Sequence, residues 1–146
     1  MENSTAASSS LWQDIYRHER IDNTKHEIRL VKLLPPDQSC TSDTRIRCEV
    51  SHHTLGPVVN TAPPYTAVSY EWGEDSLKLP IYLNGLVFHV RQNLYNLLCA
   101  MHEAGDYVGR YLWIDQLCID QEHVDERNRQ VALMSAIYSQ AEQVYA

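Results

Sequence analysis

Residues Tyr111 to Ile119 form an almost continuous apolar run, interrupted at Asp115, and this segment most restricts the folds open to the chain. Side chains of a strand point alternately to its two faces, so an apolar run of this kind must be covered on both. Strands buried in that way belong to parallel sheets with helices packed against them. The neighbouring segments supply the helices. Leu94, Leu97, Leu98 and Met101 recur at helical spacing after Asn93, a candidate N-cap, with Gly105 as a C-terminal stop. Val131, Met134, Ile137, Tyr138 and Ala141 repeat the pattern in a helix predicted over 126–141, with Glu126 and Arg127 in its first turn.

Around these helices the strand signals are short. Tyr65 to Tyr70 reads as a strand by its β-branched and aromatic content, closed by Trp72-Gly73. Ile81 to Leu83 and Leu86 to Val90 flank Asn84-Gly85, which tolerates positive φ at both central positions and so predicts a two-residue hairpin. Val144-Tyr145-Ala146 reads as the start of a further strand. The order of strands and helices predicts an α/β domain with parallel strands and right-handed crossovers. Upstream, Glu27 to Leu34 is a strand stopped by Pro35-Pro36, and Arg45 to Val50 is its partner. Leu11, Trp12, Ile15 and Tyr16 suggest a short helix over 11–20. The chain therefore divides into an N-terminal extension (1–26), flexible or short-helical, an N-terminal β element with its connector (27–64) and an α/β portion (65–146).

Composition removes several classes of function. Twelve Lys and Arg against nineteen Asp and Glu give a net charge of -7, which repels phosphate backbones, and the basic residues do not cluster, so no nucleic-acid partner is expected. No apolar run approaches the length of a membrane span, and none is expected. Met1 to Ser10 lacks the basic start and apolar core of a secretory signal. Cys40, Cys48, Cys99 and Cys118 stand far apart, as in proteins of a reducing compartment. Cys40 and Cys48 with His52 and His53 lack the paired short spacings of a zinc site, and no metal centre is predicted. A Gly-rich phosphate loop, a His-Glu-x-x-His pair and a Gly-x-Ser-x-Gly elbow are all missing from the sequence.

Four ordered blocks carry a more specific signal. They are Tyr65-x-Ala67-Val68-Ser69-Tyr70-x-Trp72-Gly73; Asn84-Gly85 with Val90 and Asn93-Leu94; Leu112-Trp113-Ile114-Asp115-x-Leu117-Cys118-Ile119-x-Gln121; and Glu126-Arg127-x-x-Gln130-Val131-x-x-Met134-x-x-Ile137-Tyr138-x-x-Ala141. Together they resemble the fungal heterokaryon-incompatibility (HET) domain, with Asp120 standing where that family often has Asn. The resemblance covers 65–146 and implies a cytoplasmic protein of non-self recognition and programmed cell death. It also implies assembly with other HET or death-signalling proteins, or with copies of itself. HET domains are distantly similar to TIR domains, so the implied architecture is a TIR-like or flavodoxin-like parallel sheet with flanking helices, an N-terminal β element and a hairpin insertion. Some TIR domains cleave NAD, which makes NAD the candidate substrate and NAD glycohydrolase the alternative activity, with no other cofactor implied. In TIR-like enzymes the essential glutamate lies on a helix after the third strand. The chain is expected to stop as that strand begins, as the front portion of a longer domain.

In open α/β sheets ligands bind outside the carboxyl ends of the strands. Ser69, Tyr70, Trp72 and Asp115 fall there by position. Cleavage of a glycosidic bond needs a carboxylate beside an oxocarbenium-like centre and an aromatic wall for the base. Asp115 and Glu126 are the candidate catalytic carboxylates, and Ser69, Tyr70, Trp72 and Arg127 the candidate ligand-binding residues. The competing reading makes Trp72 and Trp113 core anchors and gives Asp115 and Glu126 capping roles.

Overall fold

The computed structural model describes residues 15–22, 24–35 and 46–146. Its strands are β1 (Glu27–Leu33), β2 (Arg47–Thr54), β3 (Tyr65–Val68), β4 (Lys78–Leu83), β5 (Leu86–Arg91), β6 (Tyr111–Ile114) and β7 (Gln143–Tyr145). The helices are α1 (Gln92–Ala104), α2 (Asp115–Cys118) and α3 (Val124–Gln140). One mixed sheet runs in the order β5-β4-β2-β1-β6-β3-β7. The chain is an α/β protein.

The expected parallel strands are one part of this sheet. β3 lies between β6 and β7 and runs parallel to both, with Tyr65 opposite Tyr111, Val68 opposite Ile114, and Val68 also opposite Tyr145. All four residues of β3 are buried, and Leu112, Trp113 and Ile114 of β6 are closed to solvent. β1 then pairs antiparallel with β6 on one side and with β2 on the other. Ile28 to Val31 and Leu33 are all buried, so β1 is an interior strand covered on both faces rather than an amphipathic edge. β2 continues to Thr54, beyond the expected end at Val50, because β1 offers it partners from Leu33 opposite Cys48 to Glu27 opposite Thr54.

Local chemistry explains the boundaries. Asn84 (φ 51°) and Gly85 (φ 79°) both take positive φ, as the β4–β5 hairpin requires. Gly105 closes α1 in the left-handed region (φ 83°) and donates its N–H to the Met101 carbonyl at 3.1 Å. Asn93 does not cap α1. The helix begins after Arg91, and the Asn93 side chain donates to the Glu71 carbonyl instead (3.0 Å). The apolar run that reads as one strand to Ile119 is cut at Ile114. Asp115 opens a single helical turn, where its charge suits the positive helix end, and its carbonyl accepts from Ile119 N–H at 3.1 Å. Leu117, Cys118 and Ile119 stay buried, so the run is apolar because the turn as well as the strand packs inside. Of the helix expected over 11–20, residues 11–14 lie outside the described residues. Ile15 to Arg20 is not helical; Ile15 bridges Val87, and Tyr16 N–H donates to the Val87 carbonyl at 2.8 Å.

α3 packs on the face carrying Tyr65 and Trp113. The Trp113 ring meets Tyr138 edge-on at 5.7 Å, and Tyr65 Oη donates to the Ile137 carbonyl. α1 packs on β4 and β5 through Leu94, Leu98 and Met101. No described helix is long and apolar enough to cross a membrane.

Candidate functional site

The carboxyl ends of the parallel strands β3 and β6 bring Tyr70, Trp72 and Asp115 together. Trp72 Nε1–H points between the two Asp115 oxygens, at 3.0 and 3.1 Å. The Tyr70 hydroxyl donates to Asp115 and accepts from Gln116 Nε2 at 2.8 Å. Gln116 Oε1 in turn accepts from the Arg91 backbone N–H at 2.9 Å. Tyr70 and Gln116 each donate one way and accept the other between the Arg91 N–H and the Asp115 carboxylate, an arrangement that polarises its members mutually. Gln121 Nε2 adds a hydrogen bond to the Asp115 carbonyl at 2.9 Å.

The electrostatics follow from this packing. Burial raises the Asp115 carboxyl above the usual aspartate range, against the opposing pull of Trp72, the Gln116 N–H and Tyr70. Burial, followed by the Asp115 charge, pushes the Tyr70 phenol far up, so it stays a neutral donor. The Arg91 guanidinium lies 4.9 Å from the centroid of the Trp72 ring, donates to the Gly73 carbonyl at 3.0 Å and reaches Asp75 at 3.5 Å. Gly73 itself adopts φ +75°, and a Cβ there would stand 2.5 Å from Asn93 Nδ2, so only glycine fits the turn that aims Trp72.

A cleft of about 640 Å³ opens beside this group, within the size range of small-molecule sites. Trp72, Arg91 and Gln116 line it from one side, Tyr16, His18 and Phe88 from another, and Ile119 to His123 close it. Asp115 itself is absent from the lining, while its neighbours Trp72 and Gln116 belong to it. His18 spans the cleft wall. Its Nε2 bonds the Leu117 carbonyl at 2.8 Å, and burial lowers its pKa below the usual imidazole value.

The remaining candidates stand apart from Asp115. Ser69 is exposed just past β3 and donates its backbone N–H to the Tyr145 carbonyl at 2.7 Å. Arg127 is exposed and reaches the Gln121 carbonyl at 3.4 Å. Glu126 is buried in a bidentate ion pair with Arg29, at 2.7 and 2.8 Å, and accepts the Asp120 N–H at 2.6 Å. Burial would raise its carboxyl, but the Arg29 and Asp120 hydrogen bonds outweigh burial and hold it below the usual glutamate range. Arg29 further donates to the carbonyls of Cys118 and Glu19, so one guanidinium ties β1 to α2, α3 and the N-terminal segment. Arg29, Arg91, Gln116 and His18 are absent from the sequence-derived candidates. The readable signal for Arg29 is a charge inside the apolar strand Ile28 to Val31.

Heterokaryon incompatibility protein (HET) is the family whose model matches this chain, over residues 65–146. The chain belongs to the HET family. Heterokaryon incompatibility protein 6, OR allele, of Neurospora crassa is 29% identical over 148 residues, an alignment covering 88% of this chain and 20% of that protein. The chain thus spans about a fifth of the length of that relative. The aligned share exceeds the family-matched segment, so the similarity of this HET chain reaches back before Tyr65. No solved structure matches the chain. The Trp72, Asp115 and Gln116 group and most of the cleft wall fall inside the HET segment, whereas Tyr16, His18 and Arg29 precede it.

Proposed function

We propose that this chain is a cytoplasmic HET module of fungal non-self recognition, triggering programmed cell death through assembly with like domains or other death-signalling proteins. The observation that carries the reading is the family match over 65–146, joined to a relative whose name is that of an incompatibility protein. Tyr70, Trp72, Asp115 and Gln116 of that segment form a half-buried hydrogen-bonded network, which suits a rigid module presenting fixed surfaces to a partner. Inducible expression of the whole chain in Neurospora crassa hyphae tests it. Growth arrest with dye uptake is expected, weakened in Trp72→Ala; normal growth at protein levels verified by immunoblot would overturn the reading.

A second reading, cleavage of NAD by a TIR-like mechanism, draws support from a carboxyl of raised pKa held behind an aromatic wall at the ends of parallel strands. On this reading Trp72 and Arg91 receive the ligand in the cleft, and Asp115 faces the developing positive charge once Trp72 turns aside. Purified protein incubated with NAD then releases nicotinamide, and Asp115→Asn stops it. Absence of release at every protein concentration tried removes this reading and leaves the first intact.

A further inference from the structure

Away from the cleft, β2 carries Ser51 and His53 two positions apart, so both side chains stand on the same face of the sheet. Ser51 Oγ lies 2.7 Å from His53 Nε2. The His53 ring is also hydrogen-bonded to the Thr61 backbone. Thr61 N–H is already donated to the Thr54 carbonyl at 2.9 Å, so the group that His53 meets is the Thr61 carbonyl, an acceptor. A carbonyl can take only the Nδ1 proton, which leaves Nε2 with its lone pair toward the serine. Tyr111 meets the ring edge-on at 5.7 Å and limits its rotation. Burial lowers the His53 pKa, so the imidazole is a neutral base at pH 7.

A hydroxyl within hydrogen-bond reach of a base, with the base oriented by a third group, is the arrangement that activates serine as a nucleophile. Here all three sit on strand and connector backbone, and both side chains are only half-buried, open to a reagent. Lys32 shares their face. It stands opposite Glu49 and Tyr111 in register, with Nζ 4.9 Å from the Tyr111 ring centroid.

We propose that Ser51 and His53 form a nucleophile and general-base pair that accepts an acyl group from small esters. Ser51 Oγ adds to the ester carbonyl carbon while its proton passes to Nε2 of His53. The tetrahedral oxyanion collapses, the carbon–oxygen bond to the alcohol breaks, and His53 returns the proton to the departing oxygen. Water, deprotonated by the same nitrogen, then releases the carboxylic acid and restores Ser51.

The whole chain treated with p-nitrophenyl acetate and, separately, with a fluorophosphonate probe tests the pair, with the adduct located by peptide mass spectrometry. A single adduct on Ser51 is expected, absent in Ser51→Ala and slowed on the order of 10²-fold or more in His53→Gln. In the unaltered protein the labelling rate should rise with pH as the imidazole loses its proton, with its midpoint below the ordinary imidazole value of 6.5. Lys32, Glu49, His52 and Tyr111 are the titratable groups facing or flanking it. Labelling on Tyr111 or Lys32 in place of Ser51, full-rate labelling of Ser51 in a folded His53→Gln variant, or a flat pH profile in the unaltered protein would each overturn the proposal.

Discussion

Arg29 and Glu126 hold one another where each charge would otherwise be buried without its counter-ion. Both are closed to solvent or nearly so, and the guanidinium has carbonyl partners besides the carboxylate. Removing one partner leaves the other buried and unpaired, so Glu126→Ala is expected to destabilise the fold by about 3–5 kcal/mol in denaturant titration. The double change Arg29→Met with Glu126→Leu should recover much of that loss. The pH dependence has a definite sign. Glu126 has its folded pKa depressed, so its contribution is full above the ordinary value of 4.5 and is lost as pH falls through the folded value. His18, also depressed, begins to lose its contribution earlier, as pH falls below its ordinary 6.5. Thermal unfolding followed from pH 7 to well below pH 4.5 should therefore show stability decaying in two stages, with His18→Gln reducing the first, to which the depressed His53 also contributes. Gly73 offers a sharper test. A Cβ there meets Asn93 at 2.5 Å on a backbone of φ +75°, so Gly73→Ala should lower stability by about 1–3 kcal/mol. Asn93→Ala in the same chain should relieve the steric part and leave the conformational part.

At the scale of elements, legibility followed how local the cause was. The β4–β5 hairpin and the end of α1 were readable because Asn84-Gly85 and Gly105 act through their own φ angles. Gly85→Val is accordingly expected to cost about 1–2 kcal/mol, measured by chemical denaturation, although nothing lies within 4 Å to clash with the added side chain. The stop of β6 at Ile114 was not readable. Apolar residues continue to Ile119, and only the packed structure distinguishes a buried turn from a buried strand. Ile15 to Arg20 misled in the opposite way, because Ile15 and Tyr16 satisfy helical spacing while the backbone pairs with Val87. The site divided along the same line. Tyr70, Trp72 and Asp115 follow strand ends and could be placed by position alone. Arg91, Gln116 and His18 act through partners distant in sequence, as does the Arg29 grip on Glu126.

For the whole molecule, the family-matched segment is not where the sheet is complete. β1 and β2 precede Tyr65, yet β1 pairs directly with β6, and β2 joins the β4–β5 hairpin to the rest. A chain reduced to residues 65–146 would expose the β6 edge and the apolar side of Trp113, and would lack Arg29 beneath Glu126. It should show no cooperative unfolding transition by circular dichroism and should aggregate, whereas a chain beginning at residue 15 should unfold in one step. The pairing of Val31 with Leu112 also sets a timetable. β1 leaves the ribosome early, but its partner strand follows only after β2, β3, the β4–β5 hairpin and α1. At about 5–20 residues per second, β1 waits several seconds before its second edge can be filled. Until then an apolar strand is open to any neighbouring chain, and contacts this distant in sequence also slow the search in vitro. The nascent protein is therefore most exposed to mispairing before β6 emerges, the interval in which a holding chaperone would have the greatest effect on yield.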